Sequence, residues 1–179
     1  MLAPAPVAVG VIVNNSSNGL YVANGTATVV NCTIASNANW GITNAGTLTV
    51  RNSIVWLNKT GGITSNATTA VTCTDAQDAW CTNGLNPGTN LCADPLFVDL
   101  VYFHEQSKAG DYTNGYFSGG GWGAGLSNSP CIDAGEPYPA SSYALEPEPN
   151  GRRINLGAYG NTAVASLSAQ SRGTVITLR

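Results

Sequence analysis

The chain has 179 residues, enough for one domain or for one domain with a decorated end, and long enough to bury a core. Only 9% of the residues are charged and the formal net charge is -3, far from the roughly one quarter charged that soluble domains carry. No apolar run approaches the ~18 residues a spanning helix needs, neither half has the basic stripe of a nucleic-acid binder, and evenly recurring Val, Ile and Leu argue against disorder.

Asn, Thr, Ser and Gly take the place of charge, which suits short strands joined by tight turns. The charges are also unevenly placed. Residues 1–70 hold only Arg51 and Lys59 and no acid, while all ten acids fall between Asp75 and Glu148. Two surfaces with a boundary at residues 70–75 are expected. At the N-terminus, MLAPAPVAVGVIV has no Lys or Arg before its apolar run and makes a poor signal peptide. Met1 is the only methionine, and rung-like sequence follows almost at once, so it is expected to be an added or trimmed start.

The next segments repeat. TATVVNCTIASNANWGITNAG (26–46), TLTVRNSIVWLNKTGGITSNA (47–67) and TTAVTCTDAQ (68–77) align at an offset of 21 residues. Thr26, Thr47 and Thr68 coincide, as do Val29, Val50 and Val71. Asn31 meets Asn52, Ile34 meets Val55, Asn37 meets Asn58, Gly41 meets Gly62 and Ile42 meets Ile63. An earlier copy over residues 7–25 aligns at an offset of 22. Strands this short cannot bury an apolar face alone. Stacked one above another they form parallel sheets around a column of Val and Ile. Asparagine tolerates left-handed backbone at turns, and stacked asparagines can bond along the stacking axis. Two ladders are therefore predicted, Asn31–Asn52 and Asn37–Asn58. An antiparallel sandwich would not demand the same residue every 21 positions. The predicted architecture is all-β, a parallel β-helix of about three rungs over residues 1–72. Residues 73–179 form a loop-rich cap and terminal strand, packed on the rungs as one unit.

After Thr72 the register fails. The segment 94–99 (DPLFVD) is followed in order by AGDYT (109–113), LSNSPCIDAG (126–135) and NGRRINLGAYGNT (150–162), with NSIVWLN (52–58) just upstream. This series resembles the C-terminal end of bacterial parallel β-helix surface proteins with the choice-of-anchor Q domain, over residues 26–165. The resemblance implies a right-handed β-helix closed by an irregular cap, on secreted or cell-surface proteins mostly without a known activity. Where that family has Glu after GAY, this chain has Gly160. A β-helix end exposes unpaired strands and apolar interior, and Leu96, Phe97 and Val98 are the residues expected to plug it. The apolar run Thr174–Leu178 reads as a last strand.

Candidate chemistry is sparse. Five cysteines (Cys32, Cys73, Cys81, Cys92 and Cys131) include no C-x-x-C pair, which argues against zinc. Cys32 and Cys131 read as buried thiols. Cys81 and Cys92 flank a loop that a disulfide would staple, with Cys73–Cys81 and Cys73–Cys92 as rival pairings. His104 has no nucleophile motif around it, and the rungs have no acid pair for glycoside cleavage. Catalytic and cofactor-binding residues are accordingly assigned to none. Asp94, Asp99 and Asp111 are weak candidate calcium ligands, although no calcium-loop motif is present. Trp40, Trp56, Trp80 and Trp122, with Tyr112, Tyr116 and Phe117, are either a sugar-stacking face or core and cap residues. The expected function is a non-catalytic structural or adhesive module, secreted or on the cell surface, with polysaccharide or copies of itself as partners. A self-assembling extracellular fibre and a fragment of a polysaccharide-binding or polysaccharide-degrading β-helix are the alternatives.

Overall fold

A computed structural model describes residues 6–77, Trp80 and residues 89–169. Among these residues the chain is all-β without helix, a parallel β-solenoid of about three turns. The first turn contains β1 (Pro6–Val13) and β2 (Leu20–Val22), and the second β3 (Thr26–Ala35) and β4 (Trp40–Asn44). The third contains β5 (Thr47–Arg51), β6 (Ile54–Trp56) and β7 (Gly61–Ser65), and β8 (Thr69–Thr72) and β9 (Asp75–Ala76) begin the next. One sheet runs β8-β5-β3-β6-β9 with β1 added on β3, and a second runs β2-β4-β7. Every pairing in the two sheets is parallel.

The register is the repeat. Val29 pairs with Val50 and Val50 with Val71, Ile12 with Ile34 and Ile34 with Val55, and Leu20 with Ile42 and Ile42 with Ile63. Val29, Val50, Val71, Ile42 and Ile63 are all buried in one core column.

Two corners recur at the repeat spacing, each built on left-handed backbone. Asn14, Ser36 and Leu57 form one left-handed column, and Asn31, Asn52 and Cys73 the other, all with φ between 43° and 58°. In the first, the residue after the corner is the ladder asparagine. Asn37 Nδ2 donates to Asn58 Oδ1 at 2.8 Å, and Asn15 Nδ2 donates to Asn37 Oδ1 at 2.8 Å. The same oxygens accept the backbone amides of Asn37 and Asn15 at 3.1 and 3.0 Å. Gln77 ends the ladder, its Oε1 accepting the Asn58 amide at 2.8 Å. Gly41 gives the ladder room, since a Cβ there would lie 2.5 Å from Val55 Cγ1 and 2.6 Å from Asn58 Nδ2.

At the second corner the predicted Asn31–Asn52 ladder does not form. The two residues share the left-handed backbone, but Asn52 bonds the cap instead: Nδ2 donates to Ser141 Oγ at 2.8 Å, and Oδ1 accepts the Glu136 amide at 2.7 Å. Asn31 Oδ1 is buried without a partner. Here the side chain of the residue after the corner bonds backward to a carbonyl of its own turn, and Ser53 Oγ also accepts the Cys32 amide of the preceding turn at 3.2 Å. Cys32 Sγ reaches Val30 O, Ser53 Oγ reaches Arg51 O and Thr74 Oγ1 reaches Thr72 O, at 3.3, 2.8 and 2.9 Å.

The segment 93–169 lies along the flank of the solenoid instead of plugging its end. Val11, Thr33, Ile54 and Asp75 are register partners in successive turns. Each meets a different part of this segment. Val11 packs with Tyr112, Tyr159 and Val164, and Thr33 Oγ1 accepts the Ala158 amide at 3.0 Å. Ile54 packs with Cys131, Leu156 and Phe97, and the Cys131 thiol donates to Asp75 Oδ2 at 3.2 Å. Leu96, Phe97 and Val98 are half-buried on this flank. Trp80 packs against the core column instead, its Nε1 donating to Ile63 O at 2.9 Å, and Asn90 bonds Thr74 N and Val71 O beside it. The expected strand Thr174–Leu178 and the start Met1 lie outside the described residues.

Replacing Asn37 with Ala leaves buried amides without partners and is expected to destabilise the fold by about 2–4 kcal/mol in chemical denaturation. Asn31→Gly keeps the left-handed corner and loses no ladder bond, so it should cost under about 1 kcal/mol. Equal losses would refute the assignment of one working ladder. A chain ended at residue 93 exposes Ile54 and Thr33, and light scattering should show it aggregated; a soluble monomer would contradict the buttress role.

Candidate functional site

Two places gather chemistry: the seam between flank segment and solenoid, and the outer face of the β2-β4-β7 sheet.

The seam is closed and acidic. Asp75 and Glu105 are fully buried and Glu146 nearly so. Ala76 on β9 faces the core column, so alternation turns its neighbour Asp75 toward the cap. Burial pushes its carboxyl up to about 6, opposed by bonds from Cys131 and the Ala93 amide. Glu146 holds the turn 155–161 by accepting the Asn155 and Asn161 amides on one oxygen at 2.9 and 2.8 Å. Burial still raises it to about 7. Glu105 has neither oxygen hydrogen-bonded, and burial pushes it to about 8. Its carboxyl shares a crevice with Thr33 and Ile54 at Gly157. That residue has φ +83°, and a Cβ there would fall 2.8 Å from Thr33 Oγ1 and 3.1 Å from Glu105 Oε1. Glycine is required twice over, by backbone and by space.

His104 completes the interior. Its ring stacks on Tyr159 at 3.5 Å between centroids, and its Nε2 donates to the carbonyls of Gly115 and Tyr116 at 2.9 and 3.0 Å. That geometry places the proton on Nε2 and leaves Nδ1 buried without a partner. Desolvation lowers its pKa and keeps the ring neutral. Burial raises the Cys131 thiol well above its usual value, with Asp75 and Glu105 adding to the rise, so it is no thiolate nucleophile. These groups are proton-holding structure.

The calcium candidates are not brought together. Asp94 accepts the Leu96 amide, Asp99 those of Val101 and Tyr102, and Asp111 that of Ser107, at 2.7–2.9 Å. Among the described residues no group of three or more His, Cys, Asp or Glu could hold a metal ion. Cys92 is disulfide-bonded. Cys73 is a free thiol, which removes the pairings through it, and Cys81 lies outside the described residues. The aromatic residues do not share one face. Trp40 covers Gly61, Trp80 packs on the core, Trp122 meets Tyr112 edge-on, and Phe117 lies against Tyr159.

The outer face was missed in the sequence. Tyr21, Thr43 and Thr64 are register partners in three turns and line a shallow cleft of about 240 Å³. Alternation beside Leu20, Ile42 and Ile63 was the signal that could have found them.

Searches with the chain found no matching family model, no matching curated protein and no matching solved structure. What the fold itself defines is the class, a parallel β-solenoid with a laterally packed cap. No helix among the described residues is long and apolar enough to cross a membrane.

The three acids set a pH dependence. Each folded pKa lies above its unfolded value, so the folded state keeps protons that the unfolded chain has released. Stability is then full below the unfolded values near 4 and is lost as pH rises through about 6, 7 and 8. His104, with a lowered pKa, works in the opposite sense below its ordinary 6.5. Urea midpoints should fall between pH 6.5 and pH 8.5, and Glu105→Gln should flatten that fall, its share over this interval being about 2 kcal/mol. A slope unchanged in Glu105→Gln would show that the carboxyl is ionised and solvated.

Proposed function

We propose that the chain is a non-catalytic structural or adhesive module of a secreted or cell-surface protein. The observation that carries this reading is how the cap uses its ionisable groups. Asp75, Glu105 and Glu146 are sealed in the seam as proton-holding groups, and Asp94, Asp99 and Asp111 are engaged by backbone amides. Hydrolysis needs a titratable pair facing a substrate cleft, and Asp111, which lines a cleft with Gln106 and Thr113, has no second carboxyl in that lining. The disulfide at Cys92 favours an oxidising compartment. The motif series from NSIVWLN to NGRRINLGAYGNT supports a relationship to bacterial surface proteins with the choice-of-anchor Q domain.

A fibre-forming subunit is the second reading. Among the described residues β1 is paired only with β3, so its other edge carries no strand there, and Val11, Val13, Tyr116 and Phe117 line an apolar cleft of about 360 Å³. An open edge and apolar surface suit end-to-end docking of copies.

The full chain should co-sediment with insoluble cell-wall polysaccharide while releasing no new reducing or unsaturated sugar ends. Release of such ends would overturn the non-catalytic reading. Concentration-dependent growth in analytical ultracentrifugation, lost in Phe117→Asp, would favour the fibre.

A further inference from the structure

We infer that the cleft on the outer face of the β2-β4-β7 sheet is a binding site for a neutral polysaccharide chain. The inference rests on the adhesive reading above and assigns it a surface.

Three observations converge there. First, the cleft is built by the repeat. Leu20, Ile42 and Ile63 face the core, so their neighbours Tyr21, Thr43 and Thr64 face outward, one per turn. Neighbouring strands lie about 4.8 Å apart, so Tyr21, Thr43 and Thr64 form a row with one functional group per rung. Second, Tyr21 is 60% exposed, the one aromatic side chain so exposed on the solenoid among the described residues. Its ring offers an apolar face and a hydroxyl at one end, which suits the carbon-bound hydrogens and hydroxyls of a pyranose. Third, the Thr43 hydroxyl is buried and has no hydrogen-bond partner. A polar group left unpaired is costly, and a small movement of the side chains covering it would let a ligand hydroxyl pair with it.

The chemistry of the lining selects the ligand. Besides Tyr21 and the two threonines, Asn44, Ala45, Ser65 and Asn66 line the cleft, and no charged side chain is among the lining residues. Anionic polysaccharides and nucleic acids need Lys or Arg to offset phosphate or carboxylate, and the cleft supplies none. A peptide adding a strand would bond the backbone at the β2 or β7 edge, whereas the cleft is lined by the outward side chains of Tyr21, Thr43 and Thr64 across the sheet face. Ring stacking plus hydroxyl and amide groups fits a neutral glycan, bound across the rungs.

Native affinity electrophoresis of the full chain tests this, with mixed-linkage β-glucan, xyloglucan and glucomannan as neutral probes and polygalacturonate as the anionic one. At least one neutral polymer should retard the protein and polygalacturonate should not. Tyr21→Ala should weaken retention at least about tenfold with an unchanged unfolding midpoint, and Thr43→Val should weaken it less while raising the midpoint, because it removes the unpaired hydroxyl. Retention equal to wild type in Tyr21→Ala, retardation by polygalacturonate alone, or no retardation by any neutral probe would each overturn the assignment. Cell-wall co-sedimentation that survives Tyr21→Ala would sink the cleft while leaving the adhesive reading standing. Release of sugar ends would sink the adhesive reading itself.

Discussion

The structure depends on turning the same corner in successive turns. A solenoid can stack only if each turn bends its backbone where the previous one did, and a bend leaves amides that neither sheet can satisfy. Left-handed residues supply the bend at 14, 36 and 57 and again at 31, 52 and 73. What satisfies the freed amides differs between the two columns. At the first, a buried side-chain amide bonds the turn above and the turn below, so each rung fixes the height of its neighbours. At the second, a Cys, Ser or Thr side chain folds back onto a carbonyl of its own turn, Ser53 Oγ takes the Cys32 amide of the turn before, and the corner's outer surface is left open. The cap takes that opening: Asn52 holds Glu136 and Ser141, and the Asn52 carbonyl accepts the Gly157 amide at 2.9 Å.

The seam that results is stabilised by contacts that would be costly if ionised. A charged carboxylate with no partner in a low-dielectric interior destabilises by several kcal/mol, so such a group stays protonated. Glu105 is that case, closed in beside Gly157 and Thr33 without a cation. The Arg51–Glu136 ion pair, at 3.3 Å with Arg51 substantially exposed, adds little by comparison. The cap is thus held by neutral hydrogen bonds and packing more than by charge, in keeping with a chain only 9% charged.

The sequence made the solenoid legible because stacking writes its register as identity: Val29, Val50 and Val71 align in the text as they do in space. The ladders show the limit of that legibility. Asn31–Asn52 and Asn37–Asn58 give the same signal at the same offset, yet only the second pair lies on the inner side of its corner. Inside and outside of a corner are decided by a left-handed residue whose φ leaves no mark in composition; Leu57 and Cys73 adopt it without being turn formers. Gln77 was invisible because it replaces an asparagine from a position two residues short of the repeat, using its longer side chain. The seam acids were missed for another reason. Glu105, Glu146 and Thr33 are far apart in the chain, and nothing local distinguishes a buried carboxyl from a solvated one. Leu96, Phe97 and Val98 read as a plug because apolar content predicts burial but not against which surface.

Val11, Thr33, Ile54 and Asp75 climb the flank one turn at a time, and each meets its own partner in the cap. The cap therefore acts as a gauge of turn number. Most stacked-repeat proteins lengthen by duplicating a unit, since every interface is the same. An extra 21-residue unit spliced between β3 and β5 would displace Val11 and Thr33 by one rung from Tyr159 and Ala158 while Ile54 and Asp75 stayed in place. Growth by duplication is barred within the span the cap measures and tolerated only outside it, so this stretch is a fixed-length element in an architecture that is otherwise free to vary.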